Sequence, residues 1–167
     1  MKITNIFVIN FSFKWKKSFG ESILLRLWNN KGETVTLQKE KLPGGNETIM
    51  LVDDQDAIWD FMIEALQTLG YSVILAENGL DAVEIYKNNP DQIDCVILDM
   101  IMPKMGGHNT FYQLKALDPK VKVILSSGYV SEQEVDDILK QGAKSFIPKP
   151  HRIKDIAIEI RRVLDEK

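Results

Sequence analysis

The sequence has very little cysteine: one Cys among 167 residues excludes an internal disulfide and every scaffold built on disulfides. Sparse cysteine is typical of a reducing compartment, which predicts a cytoplasmic location. The chain also lacks an apolar run near the roughly 18 residues that span a bilayer. The short run 3–13 is broken by Asn5, Asn10 and Ser12 and lacks a small-residue cleavage site, so we expect neither a signal peptide nor membrane insertion.

Glycine and proline are also modest, at 10 and 6 residues, which excludes a collagen-like chain. The hydrophobic fraction of 44% is too high for a disordered chain. At roughly 100–200 residues per domain, the length allows one full domain and a fragment of another.

Charge is divided unevenly along the chain. Residues 1–45 hold 8 Lys and Arg against 3 Asp and Glu, a net charge of +5, whereas residues 46–167 hold 13 and 21, a net charge of −8. The junction contains Pro43, Gly44 and Gly45, which is typical of a linker. We therefore predict a basic, aromatic-rich extension over 1–45 and an acidic domain over 46–167.

Two interpretations of the 1–45 extension stay open. We favour a remnant of an upstream domain. The alternative is a basic patch for nucleic acid or a membrane surface, because Lys14, Trp15 and Lys16 interleave charge with an aromatic ring. The segment carries no known nucleic-acid-binding motif, so direct binding of nucleic acid is not expected.

Short apolar runs alternate with amphipathic segments beyond the junction. The apolar runs lie at 48–52, 71–76, 94–98, 121–126 and 144–148. The segments between them place apolar residues at helical spacing, as in Ile58, Met62, Ala65 and Leu69. Five strands alternating with five helices predict a parallel sheet covered on both faces, that is, a doubly wound α/β fold.

Polar residues stand where these predicted strands end. Asp53 and Asp54 follow the first strand, Asp99 the third, Ser127 the fourth and Lys149 the fifth. In doubly wound folds the ligand binds beyond the carboxyl ends of the strands, so these side chains are expected to share one edge of the sheet.

Three carboxylates at close range require a cation. Mg²⁺ prefers a few carboxylates, retained waters and a phosphoryl oxygen. Together with the Lys149 ammonium and the Ser127 hydroxyl, these carboxylates provide the groups that phosphoryl transfer to an Asp carboxylate requires. By contrast, Cys95 is expected to be a buried core thiol, and His108 and His151 lack metal-ligand spacing.

At this point the sequence resembles the receiver domain of two-component response regulators, over about residues 47–167. The resemblance rests on four stretches in the correct order, at 49–55, 96–107, 123–128 and 146–150. It implies the flavodoxin-like strand order 2-1-3-4-5. The run Ser126-Ser127-Gly128-Tyr129 is similar to receivers attached to hybrid sensor kinases, and a stand-alone regulator and a fragment of a hybrid kinase both stay open.

The resemblance also implies roles for individual residues. Asp99 would accept a phosphoryl group from a phosphohistidine on a sensor histidine kinase or histidine phosphotransfer protein. Asp54 and Asp99 would bind Mg²⁺ directly with the backbone carbonyl of Ile101, and Asp53 would act through a metal-bound water. Ser127, rather than Ser126, would bind the phosphoryl group together with Lys149, and the Lys149–Pro150 bond would be cis. Phe146 would be the switch aromatic, and a plain core residue of the fifth strand stays open for it.

Other functions fit the residues less well. A hydrolase with an Asp nucleophile usually carries a second acid two residues later, where this chain has Ile101. A nucleotide- or flavin-binding domain needs a Gly-rich loop after the first strand, where this chain has acids. A phosphorylation-independent scaffold would have lost an acid or the Lys. Kinase motifs are absent, and no DNA-binding helix follows the last helix, so we expect a non-enzymatic receiver whose output is contact with a downstream protein.

Overall fold

The computed structural model describes residues 25–28, 34–37, 42–128 and 131–166. The chain divides into two compact units, 1–41 and 42–167. In the first unit, β1 (Leu25–Trp28) pairs with β2 (Thr34–Leu37) in antiparallel register. The rest of the predicted extension up to residue 41 lies outside the described residues, and both interpretations of it stay predictions.

The second unit is a five-stranded parallel sheet with helices between successive strands. The strand order β4-β3-β5-β6-β7 is 2-1-3-4-5 when counted within the unit, which confirms the predicted fold. The strands are β3 (Thr48–Val52), β4 (Ser72–Ala76), β5 (Cys95–Asp99), β6 (Val123–Ser127) and β7 (Ser145–Pro148). The helices are α1 (Asp56–Thr68), α2 (Gly79–Asn88), α3 (Gly107–Leu117), α4 (Glu132–Lys140) and α5 (Ile153–Asp165), with one 3₁₀ turn at Pro90–Gln92.

Each face of the sheet carries its own hydrophobic core. Successive strand residues point to opposite faces, so Met50 and Val52 lie in one core while Ile49 and Leu51 lie in the other. The first core is completed by helices α2, α3 and α4, and the second by α1 and α5. Two-sided burial explains why the sequence shows nearly continuous apolar strands.

Local signals in the sequence set the ends of several helices. The Asn78 side chain caps α2 by accepting hydrogen bonds from the backbone N–H groups of Leu80 and Asp81. Ser131 and Glu134 form a reciprocal capping box at the start of α4, as predicted. Gly70 follows α1 with a φ of 99°, a conformation that favours glycine.

Cys95 is a buried core residue, as predicted, and burial raises the pKa of its thiol to about 12. A thiol with so high a pKa is a poor nucleophile at neutral pH. Within the described ranges, none of the helices has the length and apolar composition needed to cross a membrane.

Candidate functional site

Three carboxylates meet at the carboxyl ends of β3 and β5, which are adjacent strands in the sheet. Asp53 and Asp99 are each 2% exposed, and Asp54 is half-buried. One carboxylate oxygen from each residue lies within 4.8 Å of the others. The structure therefore brings together the three acids that the sequence placed on one edge of the sheet.

Lys149 bridges two of these acids. Its Nζ lies 2.7 Å from Asp53 Oδ2 and 2.7 Å from Asp99 Oδ2. Burial alone would lower the pKa of Lys149, but the hydrogen bonds to Asp53 and Asp99 outweigh it and hold the pKa above its ordinary value. The side chain is therefore an ammonium ion at neutral pH. The Lys149–Pro150 peptide bond is cis, as the resemblance implied.

Backbone groups hold the other oxygens of the two bridged acids. The Gln55 N–H donates to Asp53 Oδ1 at 2.9 Å, and the Ile101 N–H donates to Asp99 Oδ1 at 3.1 Å. The indole N–H of Trp59 donates to the Asp53 carbonyl oxygen at 2.8 Å, which ties α1 to the end of β3. These bonds fix the orientation of both carboxylates, a requirement for a preorganised site.

Asp54 differs from its two neighbours. Its Oδ1 atom is buried and has no hydrogen-bond partner. A buried carboxylate oxygen without a partner is costly unless a cation or a donor approaches it. Together with the hard-oxygen character of all three carboxylates, this orphaned atom fits Mg²⁺, which favours carboxylates over nitrogen or sulfur.

A glycine lets α3 begin close to Asp99. A Cβ at Gly107 would overlap the Asp99 carbonyl oxygen. The Gly107 N–H also donates to the Met100 carbonyl oxygen at 3.1 Å. The pair Gly106-Gly107 of the sequence therefore brings the first turn of α3 against the end of β5.

The remaining predicted site residues occupy the expected positions, and their roles stay predictions. Ser127 ends β6, is 2% exposed and stands opposite Pro148 in the β6–β7 ladder. Its carbonyl oxygen accepts the Lys149 N–H at 2.9 Å. Phe146 is half-buried on β7 and packs against the first core. The Ile101 side chain is 57% exposed beside the acids.

Sequence reasoning missed several contacts around the site. The Trp59 indole reaches Asp53 from inside a helix, and no motif in the sequence marks it. His151 Nε2 lies 3.0 Å from Ser126 Oγ. A cavity of about 540 Å³ opens beside Lys149, and its lining includes Phe61, Gly128 and His151. No role is predicted for His151 from the sequence, and its position two residues after Lys149 is the one signal that could have pointed to this lining.

The position of His151 predicts a pH dependence of stability. Burial lowers the pKa of its imidazole and the Lys149 ammonium lowers it further, while the Pro148 backbone and the carboxylates of Asp53 and Asp99 offset part of this. The unfolded state, with a His pKa of about 6.5, therefore takes up the proton more readily than the folded state. The stabilising contribution is present above about pH 6.5 and is lost as pH falls toward the folded-state pKa.

We therefore expect the free energy of unfolding, measured with urea in EDTA, to fall more steeply from about pH 7 to about pH 5 in the wild type than in His151→Gln. The variant keeps every other titrating group, so the difference between the two curves isolates His151. Parallel curves over this interval would contradict the assignment of a depressed His151 pKa.

The family model described as the response regulator receiver domain matches residues 49–161. Sensor kinase CckA of Brucella abortus (strain 2308) is 32% identical over 123 residues, which are 74% of this chain and 13% of that protein. Sporulation initiation phosphotransferase F of Bacillus subtilis (strain 168) is 32% identical over 123 residues, covering 73% of this chain and 97% of that protein. The chain spans 50% of response regulator MprA of Mycobacterium sp. (strain KMS), at 30% identity over 116 residues.

Solved structures of receiver proteins are also similar to the chain. CheY in a CheX–CheY–BeF3–Mg complex from Borrelia burgdorferi has a TM-score of 0.69 and 32% identity, over 72% of this chain and 90% of that chain. The receiver domain of the hybrid histidine kinase CckA has a TM-score of 0.60 and 29% identity, over 71% of this chain and 99% of that chain. At 32% and 29% identity, both proteins are similar to this chain in sequence as well as in fold.

Proposed function

The chain belongs to the response regulator receiver domain family, and from that premise we propose that it accepts a phosphoryl group on Asp99 from a phosphohistidine donor. A receiver is a domain of two-component signalling and generally not a kinase. Receivers bind Mg²⁺ at an acidic pocket. The roles of individual residues in binding Mg²⁺ and the phosphoryl group are part of the proposal.

The position of Asp99 carries the proposal. It is the carboxylate at the end of the central strand β5, one oxygen is held by the Ile101 N–H, and the other faces the Lys149 ammonium at 2.7 Å. In the transfer, an Asp99 oxygen forms a bond to phosphorus while the phosphorus–nitrogen bond of the donor breaks, and the donor imidazole leaves as the neutral ring after taking up a proton. The product is an acyl phosphate on Asp99.

The chain's other side chains would stabilise the charge that the phosphoryl group carries. Lys149 would leave its contact with the carboxylates partly or wholly to pair with a phosphoryl oxygen, and Ser127 would donate its hydroxyl to another. Asp53, Asp54, Asp99 and the Ile101 carbonyl would hold Mg²⁺. When bound, the ion neutralises phosphoryl oxygens and offsets the repulsion between the acids. The CheY neighbour from Borrelia burgdorferi was solved in a complex with BeF3 and Mg²⁺, which supports this choice of ion.

The cavity beside Lys149 suits the approach of the donor. Lys149 is part of its lining, and Ile58 and Phe61 from α1 supply an apolar wall. We propose that a sensor histidine kinase or a histidine phosphotransfer protein presents its phosphoryl group here, in the cytoplasm. After transfer, movement of Ser127 and Phe146 would alter the surface that meets a downstream protein.

Phosphoramidate tests the proposal, because it carries the phosphorus–nitrogen bond of a phosphohistidine without requiring the cognate kinase. We expect a phosphorylated band on a phosphate-affinity gel for the wild type and for Asp91→Asn, whose side chain is exposed and remote from the acid cluster. Asp99→Asn should give no band. A band of equal strength in Asp99→Asn would assign the phosphoryl group elsewhere and contradict the proposal.

A further inference from the structure

Two buried or half-buried polar residues adjoin the site and have no part in the proposed function. Ser126 precedes Ser127 on β6 and is 2% exposed, and His151 follows Lys149 by two residues. The sequence favoured Ser127 over Ser126 by spacing and gave His151 no function. Their side chains nevertheless meet, with 3.0 Å between Ser126 Oγ and His151 Nε2.

This contact joins the turn after β7 to the end of β6. The Lys149 N–H already donates to the Ser127 carbonyl oxygen at 2.9 Å, which continues the β6–β7 ladder by one step. The His151–Ser126 bond adds a second attachment beyond the cis-proline. The segment from Lys149 to His151 is thus fixed to β6 at both of its ends.

The other end of the contact is equally well placed. Ser126 stands opposite Asp99 in the β5–β6 ladder, and its carbonyl oxygen accepts the Met100 N–H at 2.9 Å. The backbone that holds the Ser126 hydroxyl is therefore also the backbone that flanks the phosphoacceptor. A hydrogen bond between His151 and Ser126 fixes the Lys149 segment relative to Asp99 itself.

The charge state of His151 suits an anchor. Burial and the neighbouring Lys149 ammonium keep the imidazole neutral at neutral pH. A neutral ring bonds the Ser126 hydroxyl without competing with Lys149 for the carboxylates of Asp53 and Asp99. The same ring lines the cavity beside Lys149, so its placement also shapes the space through which a donor reaches the site.

We propose that His151 is a positioning residue: by its hydrogen bond to Ser126 it holds the Lys149 ammonium at the phosphoacceptor. The inference rests on the proposed function, because it assigns Lys149 a role in phosphoryl transfer. A side chain that locks the orientation of a functional group in this way contributes to rate rather than only to stability.

The test measures the initial rate of Asp99 phosphorylation by acetyl phosphate with Mg²⁺. We expect His151→Ala and Ser126→Ala each to lower the rate by about five- to ten-fold, the range set by the loss of one neutral hydrogen bond. His151→Gln, whose side-chain amide can bond the same hydroxyl, should recover at least about half of the wild-type rate. The double variant should be no slower than the slower single variant, because both remove one interaction.

Urea unfolding of each variant distinguishes a loss of positioning from a loss of fold. If His151→Ala does not fold, the two single variants Ser126→Ala and His151→Gln still provide the test. Folded single variants that react at the wild-type rate would overturn the role of His151 and leave the proposed function intact. So would a double variant whose loss is the product of the two single losses. A wild type that forms no adduct would overturn the proposed function as well, and the two failures are therefore distinguishable.

Discussion

Replacing Lys149 with Met is expected to destabilise the Mg²⁺-free protein by about 3 kcal/mol, the scale on which removing one partner of a buried ion pair acts. The change removes the ammonium that lies 2.7 Å from both Asp53 and Asp99 and leaves the clustered carboxylates facing one another. Phosphoryl transfer should fall by about 100- to 1,000-fold, because the developing charge on the phosphoryl oxygens loses its cation.

Mg²⁺ should reverse much of the loss of stability. A divalent ion neutralises the same carboxylates, so its addition should raise the urea midpoint of Lys149→Met by more than it raises that of the wild type. Lys140→Met is the matched control, because the Lys140 side chain is 74% exposed and its pairing with Asp137 spans 3.9 Å. Equal Mg²⁺ responses in wild type and Lys149→Met would contradict the account of Lys149 as the resident cation of the acid cluster.

Asp54→Asn is expected to shift stability in opposite directions with and without metal. Without Mg²⁺, the change removes one of three clustered charges, so the variant should be more stable than the wild type, by up to about 1 kcal/mol. With Mg²⁺, the wild type should gain stability and the variant should gain almost none. We expect the affinity for Mg²⁺ to fall at least ~10-fold, because Asp54 offers the one oxygen of the cluster that is buried without a partner.

Isothermal titration of Mg²⁺, with urea unfolding at several metal concentrations, measures both effects. Asp60→Asn on the exposed side of α1 removes the same charge outside the cluster and should leave Mg²⁺ binding unchanged. A variant Asp54→Asn that binds Mg²⁺ as tightly as the wild type would exclude Asp54 as a ligand.

Much of the site follows from strand order and from nothing more detailed. The sequence places Asp53, Asp54 and Asp99 at the ends of two buried runs. Parallel strands in the order found must bring those ends to one edge of the sheet. The alternation of Met50 with Leu51 between the two cores is likewise dictated by the pleat.

The side-chain contacts across the site could not be predicted from the sequence. That Lys149 would touch both Asp53 and Asp99 depends on a rotamer and a backbone turn, which residue spacing does not specify. Trp59 occupies an ordinary helix position, and only the packing of α1 against the sheet aims its indole at the Asp53 carbonyl. Helical periodicity predicts which face of α1 is buried, but a single polar atom on that face is decided by tertiary contact.

Ser126 and His151 illustrate the same limit. Residue spacing favours Ser127 over Ser126 as the residue that binds a phosphoryl group, and it predicts no role for Ser126. In the structure both serines are 2% exposed, and Ser126 has a side-chain partner, His151, 25 positions away in the chain. A long-range pair of this kind carries no local pattern in either segment.

Mass spectrometry of the intact wild-type protein after incubation with acetyl phosphate, in Mg²⁺ and in EDTA, tests the central claim most directly. The account predicts one phosphoryl adduct per chain with Mg²⁺, none with EDTA, and fragmentation that assigns the adduct to Asp99. A folded protein that binds Mg²⁺ and stays unmodified, or an adduct of equal yield in EDTA, would contradict it.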